Sequence, residues 1–299
     1  MGEIAAVIFT THVPRLMITD LEARKAYMGK NVTTFYDAMP QLERERLRSL
    51  EFDTFALVDT HWFTTLEYVL NAHERLRGVY TSEELPEMLH DLEYNYQGDG
   101  ELARAIEAEA RDHGLRAIAS ARRNLPVHYP TLNVMYYFNP AGRRRVLSMS
   151  VCQTAGVEND LAYGAALGAA IGKSNRRVVL IASGGMSHRF WDYDHILARA
   201  SASPDDISST ANRLYDEKIM EWFRGGRHDE VIASAADFRA HCMPEGRFSH
   251  YLIVAGAMGG SDWKWRGEQF GRYEAAIGTG QAIFYFAPEN SAHGEGVSR

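Results

Sequence analysis

Short apolar, β-branched runs alternate with longer amphipathic stretches along nearly the whole chain, and this alternation most limits what it can fold into. Strands are expected over residues 4–10, 54–58, 64–70, 115–119, 145–151 and 177–182, with a last strand or hairpin over 275–286. Helical spacing predicts helices over 31–50, 100–113, 131–138 and 161–172, and mostly helix over 204–239 and 249–258. The passage 78–98, rich in tyrosines and carboxylates, reads as a loop that walls or lids a site. Neither a repeat nor a low-complexity segment breaks the pattern. The expected architecture is a single α/β domain over 1–287, with a central mixed β-sheet flanked by helices, and a flexible C-terminal tail over 288–299.

Composition narrows the function classes. The 299 residues carry 32 Lys and Arg against 39 Asp and Glu, a formal charge of −7, so a nucleic-acid partner is not expected. The longest apolar runs, 178–182 and 251–258, are far short of the roughly 20 residues needed to span a bilayer, so no membrane role is expected either. Cys152 and Cys242 share no C-x-x-C spacing, which excludes a disulfide framework or a thiolate zinc site and favours a reducing cytoplasm.

The chemistry gathers at strand ends. His12, His61 and His188 each follow an apolar run, in Val7-Ile8-Phe9-Thr10-Thr11-His12, Ala56-Leu57-Val58-Asp59-Thr60-His61 and Val179-Leu180-Ile181-Ala182-Ser183-Gly184-Gly185-Met186-Ser187-His188. Ligands of open α/β sheets bind at the carboxyl edge of the strands, so three histidines there define a candidate metal site. Two imidazoles and one carboxylate leave coordination positions open for substrate and O2, which suits non-haem Fe(II). Glu245, held between Pro244 and Gly246 before the helix at 249–258, is the best carboxylate.

Beyond these residues, the stretches Thr11-His12-Val13-Pro14, Asp59-Thr60-His61-Trp62, Gly78-Val79-Tyr80-Thr81-Ser82, Leu85-Pro86, Tyr94-Asn95-Tyr96, Ser187-His188-Arg189-Phe190, Glu245-Gly246 and Gly278-Thr279-Gly280-Gln281 carry a family likeness in their order and spacing. By them the chain resembles the class III extradiol ring-cleaving dioxygenases, the protocatechuate 4,5-dioxygenase superfamily, and within it the group acting on homoprotocatechuate. The resemblance implies Fe(II) ligation by His12, His61 and Glu245, with Mn(II) as an alternative, and a non-ligating acid/base role for His188. It implies extradiol cleavage of a small aromatic diol such as 3,4-dihydroxyphenylacetate with O2, giving a hydroxymuconic semialdehyde. A homo-oligomer is expected. Aminophenol, gallate-like and dihydroxypyridine rings are alternative substrates, and a non-catalytic metal-binding interaction protein is the reading from another class.

Many superfamily members carry a second catalytic histidine in an Asp-His-Gly segment; here the matching stretch is Val127-His128-Tyr129-Pro130, which puts Tyr129 in its place and Pro130 where relatives have Gly. Tyr129 is expected to hydrogen-bond a substrate hydroxyl, with His128 beside it. Arg189 and Arg247 neighbour the site and are weighed as binders of a substrate carboxylate against structural salt bridges. His250 is weighed between facing the substrate and facing the core, and Asp59 between orienting the His61 ring and capping the strand. His73, His90, His113 and His228 read as surface residues on or beside helices. Gly172-Lys173-Ser174 lacks the preceding Gly of a phosphate-binding loop and reads as a helix stop, and Gly184-Gly185 as close backbone approach to the pocket.

Overall fold

Successive residues of a strand face opposite ways, so a strand with both faces apolar must be covered on both sides. The first strand, β1 (Glu3–Thr10), is of this kind: Val7 and Phe9 belong to one core, Ala6 and Ile8 to another. The computed structural model describes residues 1–18 and 33–288. Its main sheet has eight strands: β1, β2 (Thr54–Thr64), β3 (Tyr68–Asn71), β6 (Ala117–Ser120), β7 (Arg145–Cys152), β8 (Arg177–Ser183), β9 (Gly267–Ala276) and β10 (Thr279–Phe286), in the order β6-β3-β7-β2-β8-β1-β10-β9. The central strands β7, β2, β8 and β1 run parallel, while β10 and β9 add an antiparallel edge, so the sheet is mixed.

Seven α-helices among the described residues cover the two faces. On one lie α2 (Gly100–Asp112), α4 (Val157–Lys173), α5 (Thr210–Gly225), α6 (His228–Cys242) and α7 (Ser249–Ala257); on the other lie α1 (Phe35–Leu42) and α3 (Tyr129–Phe138). Helices α4 and α7 touch backbone to backbone. A Cβ on Gly164 would sit 2.0 Å from the Ile253 carbonyl and one on Gly256 2.2 Å from that of Leu161, so side chains at either position would push α7 away. That contact anchors the helix following the Glu245 turn.

Several expectations are corrected. The helix expected over 31–50 begins at Phe35 and passes at Glu43 into a π-helical turn ending at Leu47, while residues 31 and 32 lie outside the described residues. The strand expected at 64–70 divides: Thr64 ends a longer β2, and β3 starts at Tyr68. The passage 78–98 is not mainly loop. Strands β4 (Arg75–Tyr80) and β5 (Leu92–Gln97) form an antiparallel hairpin whose Leu76, Tyr80, Tyr94 and Tyr96 pack on the second core while alternate residues face water. Only residues 81–91 between them form the wall-like loop. The helix stop at Lys173 and Ser174 is observed. Of the tail expected over 288–299, residues 289–299 lie outside the described residues. No helix among the described residues is long and apolar enough to cross a membrane.

His228 is also corrected: it is fully buried, its ring stacked 3.5 Å from that of Trp263. Nε2 lies 2.8 Å from the Trp265 carbonyl and so carries the proton, leaving Nδ1 to accept from the Tyr251 hydroxyl at 2.9 Å. Burial pushes its pKa down to about 4 from the ordinary 6.5. Between those values the unfolded chain binds a proton that the folded chain refuses. Stability is therefore expected to fall as pH drops through that window, by on the order of 3 kcal/mol. His228→Phe should flatten that slope, read by urea unfolding at about pH 7 and about pH 5; an undiminished slope contradicts the assignment.

Candidate metal centre and its cavity

The pairings of β1 and of β2 with β8 both end at Ser183, through Thr10↔Ser183 and Asp59↔Ser183. The segments that follow converge by construction. His12 lies two residues past β1, buried, with Nδ1 2.9 Å from Ser183 Oγ; that contact turns Nε2 toward Glu245 Oε1, also 2.9 Å away.

His61 does not lie beyond β2, as its neighbours led one to expect, but within it. Pairing with β7 stops at Asp59↔Ser150 and resumes at Phe63↔Val151, so Thr60, His61 and Trp62 bulge out of register. The bulge is held by buried Asp59, whose Oδ1 accepts from the His61 backbone N–H at 3.0 Å and whose Oδ2 accepts from Thr131 N and Oγ1 at 3.2 and 2.8 Å. Asp59 thus fixes the His61 backbone rather than its ring. Thr60, at the start of the bulge, donates from Oγ1 to Glu245 Oε1 at 2.5 Å.

Glu245 sits in a strained turn. Gly246, Arg247 and Phe248 all have φ between 53° and 61°, a left-handed conformation unfavourable for the two non-glycine residues. Its N–H donates to the Met186 carbonyl at 3.0 Å, and its Oε2 accepts from Gly185 N at 2.5 Å, the close backbone approach expected of Gly184-Gly185. The same segment carries His188, and buried Asp216 of α5 ties it down by accepting from Ser187 N at 2.9 Å and Ser187 Oγ at 2.7 Å.

One nitrogen from each of His12 and His61 and one oxygen of Glu245 lie within 4.8 Å of one another, the spacing of donors that could hold one metal ion. Burial by itself would raise the Glu245 pKa, but His12, His188 and His61 hold its carboxyl well below the usual range, so the site presents a carboxylate. His12 is pulled down by burial yet raised overall by Glu245; His61, with burial and His12 both acting against its charge, is lowered. His188 stands apart from the cluster, its Nε2 3.5 Å from Glu245 Oε2. Tyr129 begins α3 with Pro130 after it, a residue tolerated in the first helical turn. Its hydroxyl reaches His61 Nε2 at 2.9 Å, and burial followed by Glu245 keeps it protonated, hence a donor.

These five side chains line a cavity of about 320 Å³, walled largely by apolar residues such as Leu85, Met88, Phe190, Leu197 and Ile277. The tight turn expected at Gly278-Thr279-Gly280 supplies Ile277 and Thr279 to this wall. A larger groove of about 430 Å³ lies between α2 and the end of α4, but its cations are paired, Lys173 with Glu109 at 2.6 Å and Arg176 with Asp99 at 2.8 Å.

Four residues named from the sequence lie outside the cavity wall. Arg189 and Arg247 are exposed, and His128 immediately precedes α3 without a side-chain capping bond, its ring 5.7 Å from that of Trp62. His250 is in the core behind Gly184, neither ring nitrogen has a hydrogen-bond partner, and burial pushes its pKa down to about 3. The sequence alone does not single out Ser183, Thr60, Asp216 or Glu84, a cavity-lining residue whose Oε2 lies 3.6 Å from His61 Nδ1. Short hydroxyls at strand ends and acids on a loop or helix look like ordinary solvent-facing groups until the fold places them.

A family model described as the catalytic LigB subunit of aromatic ring-opening dioxygenases matches residues 6–285. The chain belongs to that family. It is 29% identical over 260 residues to the 3,4-dihydroxyphenylacetate 2,3-dioxygenase of Escherichia coli, covering 87% of this chain and 91% of the relative. It is 24% identical over 296 residues to a 2-aminophenol 1,6-dioxygenase beta subunit from a Pseudomonas species, covering 94% of this chain and 93% of the relative. An uncharacterized protein of Escherichia coli K12 shares the fold, with a TM-score of 0.59 at 16% identity, covering 94% of this chain and 99% of that one. The chain is thus an enzyme of the metal-dependent ring-cleaving dioxygenases, and its His-His-Glu cluster is the place that could hold the metal.

Proposed function

We propose that this LigB-family chain carries out extradiol cleavage of a substituted catechol of the 3,4-dihydroxyphenylacetate kind, using Fe(II) and O2 and giving a hydroxymuconic semialdehyde. One observation carries the reading: two histidines and a carboxylate meet at the floor of a largely apolar cavity, with a further histidine beside them outside the cluster. A scaffold that only bound metal would have no use for open coordination positions together with a free base.

In this reading His12, His61 and Glu245 hold Fe(II), with Mn(II) as the alternative that the same donors suit. The bound metal supplies Lewis acidity and an electron path between the ring and O2. The protein's own residues do the rest. His188 takes a proton from a ring hydroxyl and later returns it, as a general acid/base beside the cluster. Tyr129 donates a hydrogen bond to a substrate oxygen from its protonated hydroxyl. The apolar walls exclude water and hold the ring flat against the donors. Buried free thiols at Cys152 and Cys242 suit a cytoplasmic enzyme.

A second reading keeps the site and exchanges the ring for an aminophenol; the relative named for 2-aminophenol favours it. O2 uptake by Fe(II)-loaded protein against catechols, 2-aminophenol and gallate separates the two. The expected result is fastest uptake, with a yellow ring-opened product, on a catechol bearing a carboxylate side chain. Preference for 2-aminophenol moves the second reading ahead, and intact rings with iron bound overturn both.

A further inference from the structure

The cavity holds a charge that the ring chemistry does not need. Arg15 follows His12 by three residues, on a 3-10 turn (Pro14–Met17), and its side chain lines the same cavity. Among the described residues lining it, Arg15 is the only guanidinium or ammonium group. One of its terminal nitrogens donates to the Ala275 carbonyl at 3.2 Å, while its Nε is buried with no hydrogen-bond partner. A buried guanidinium with an unfilled donor is costly, because water is lost and nothing replaces it. Burial pulls its pKa down, and the opposing pull comes chiefly from Glu274. One oxygen of that carboxylate is committed elsewhere, Oε1 accepting from Thr34 N and Oγ1 at 2.7 and 2.6 Å, while Oε2, like Arg15 Nε, is buried with no hydrogen-bond partner. The cavity wall thus carries metal-competent donors at one place, a single guanidinium at another, and apolar side chains elsewhere.

We infer that Arg15 binds the side-chain carboxylate of the substrate and selects catechols carrying a short carboxylate arm over neutral ones. The inference rests on the proposed ring cleavage and assigns within it the acid-recognising role that Arg189 and Arg247, exposed and outside the wall, do not fill. A guanidinium presents several donors in one plane, and a carboxylate accepts two of them side by side, so an arm anchored there also fixes which ring edge faces the metal donors.

The test compares Arg15→Gln and Arg15→Lys with the unaltered protein on 3,4-dihydroxyphenylacetate and on 4-methylcatechol, alongside equilibrium binding of 4-hydroxyphenylacetate and 4-methylphenol, which lack the second hydroxyl. The expected result is a fall of roughly 10- to 100-fold in the kcat/KM preference for acid over neutral ring in Arg15→Gln, carried mainly by KM. Binding of the hydroxyphenyl acid should weaken by a similar factor, with partial recovery in Arg15→Lys. Equal losses on both catechols, or unchanged binding of the acid, would make Arg15 a structural partner of Glu274 and overturn the inference while leaving ring cleavage in place. Should no catechol be cleaved at all, the binding arm alone still decides Arg15.

Discussion

His61→Ala is expected to lose metal and turnover together. The imidazole contributes one of three donors within 4.8 Å, and without it only His12 and Glu245 remain. Altering groups that merely support a ligand costs 10- to 100-fold in metal affinity, so removing a ligand should cost more than about 100-fold. The fold should survive. The side chain is 28% exposed on the cavity side, while the bulge that carries it is held through the backbone by Asp59, which the substitution leaves intact. Metal content after gel filtration, measured with turnover and thermal unfolding on the same sample, checks this. A folded variant with full metal content would remove His61 from the ligand set.

His188→Phe separates acid/base chemistry from metal holding. His188 lies 3.5 Å from Glu245 Oε2 and 23% exposed, close to the donors but outside their cluster. Phe fills similar space, and the neighbouring Phe190 ring, 4.8 Å away, offers it an apolar contact. Metal content and affinity for the catechol should therefore persist while turnover falls by about 10²- to 10⁴-fold, the usual worth of a positioned general acid/base. The measurement is metal content, substrate dissociation constant and kcat from one preparation. Loss of metal would make His188 a ligand, and near-normal kcat would leave the proton transfer to another group.

The fold class and the meeting of three histidines could be read from the sequence because parallel strands share one carboxyl edge, and a residue just past such a strand has little choice of neighbourhood. Glu245 was legible because Pro244 and Gly246 announce a turn. What escaped depends on contacts between distant residues. The bulge at Thr60–Trp62 is hidden because Trp62, Phe63 and Thr64 are all good strand formers, so nothing local marks the lost register. The β4/β5 hairpin looked like loop because one face is wet and its buried face is made of tyrosines. His228 reads as a surface residue and His250 as one that could face either substrate or core, yet packing of α6 and α7 against the sheet buries both. Arg15 is hidden for the same reason: its meaning lies in being the one guanidinium that the fold brings to the cavity wall.

Carrying out a single turnover under ¹⁸O-labelled O2, followed by mass spectrometry of the product, tests ring cleavage at this centre most directly. Both labelled oxygen atoms are expected in a ring-opened semialdehyde from the Fe(II)-loaded protein, and none from His61→Ala. A product with its aromatic ring intact, or a ring-opened product formed equally by the variant, would contradict the assignment of the chemistry to His12, His61 and Glu245.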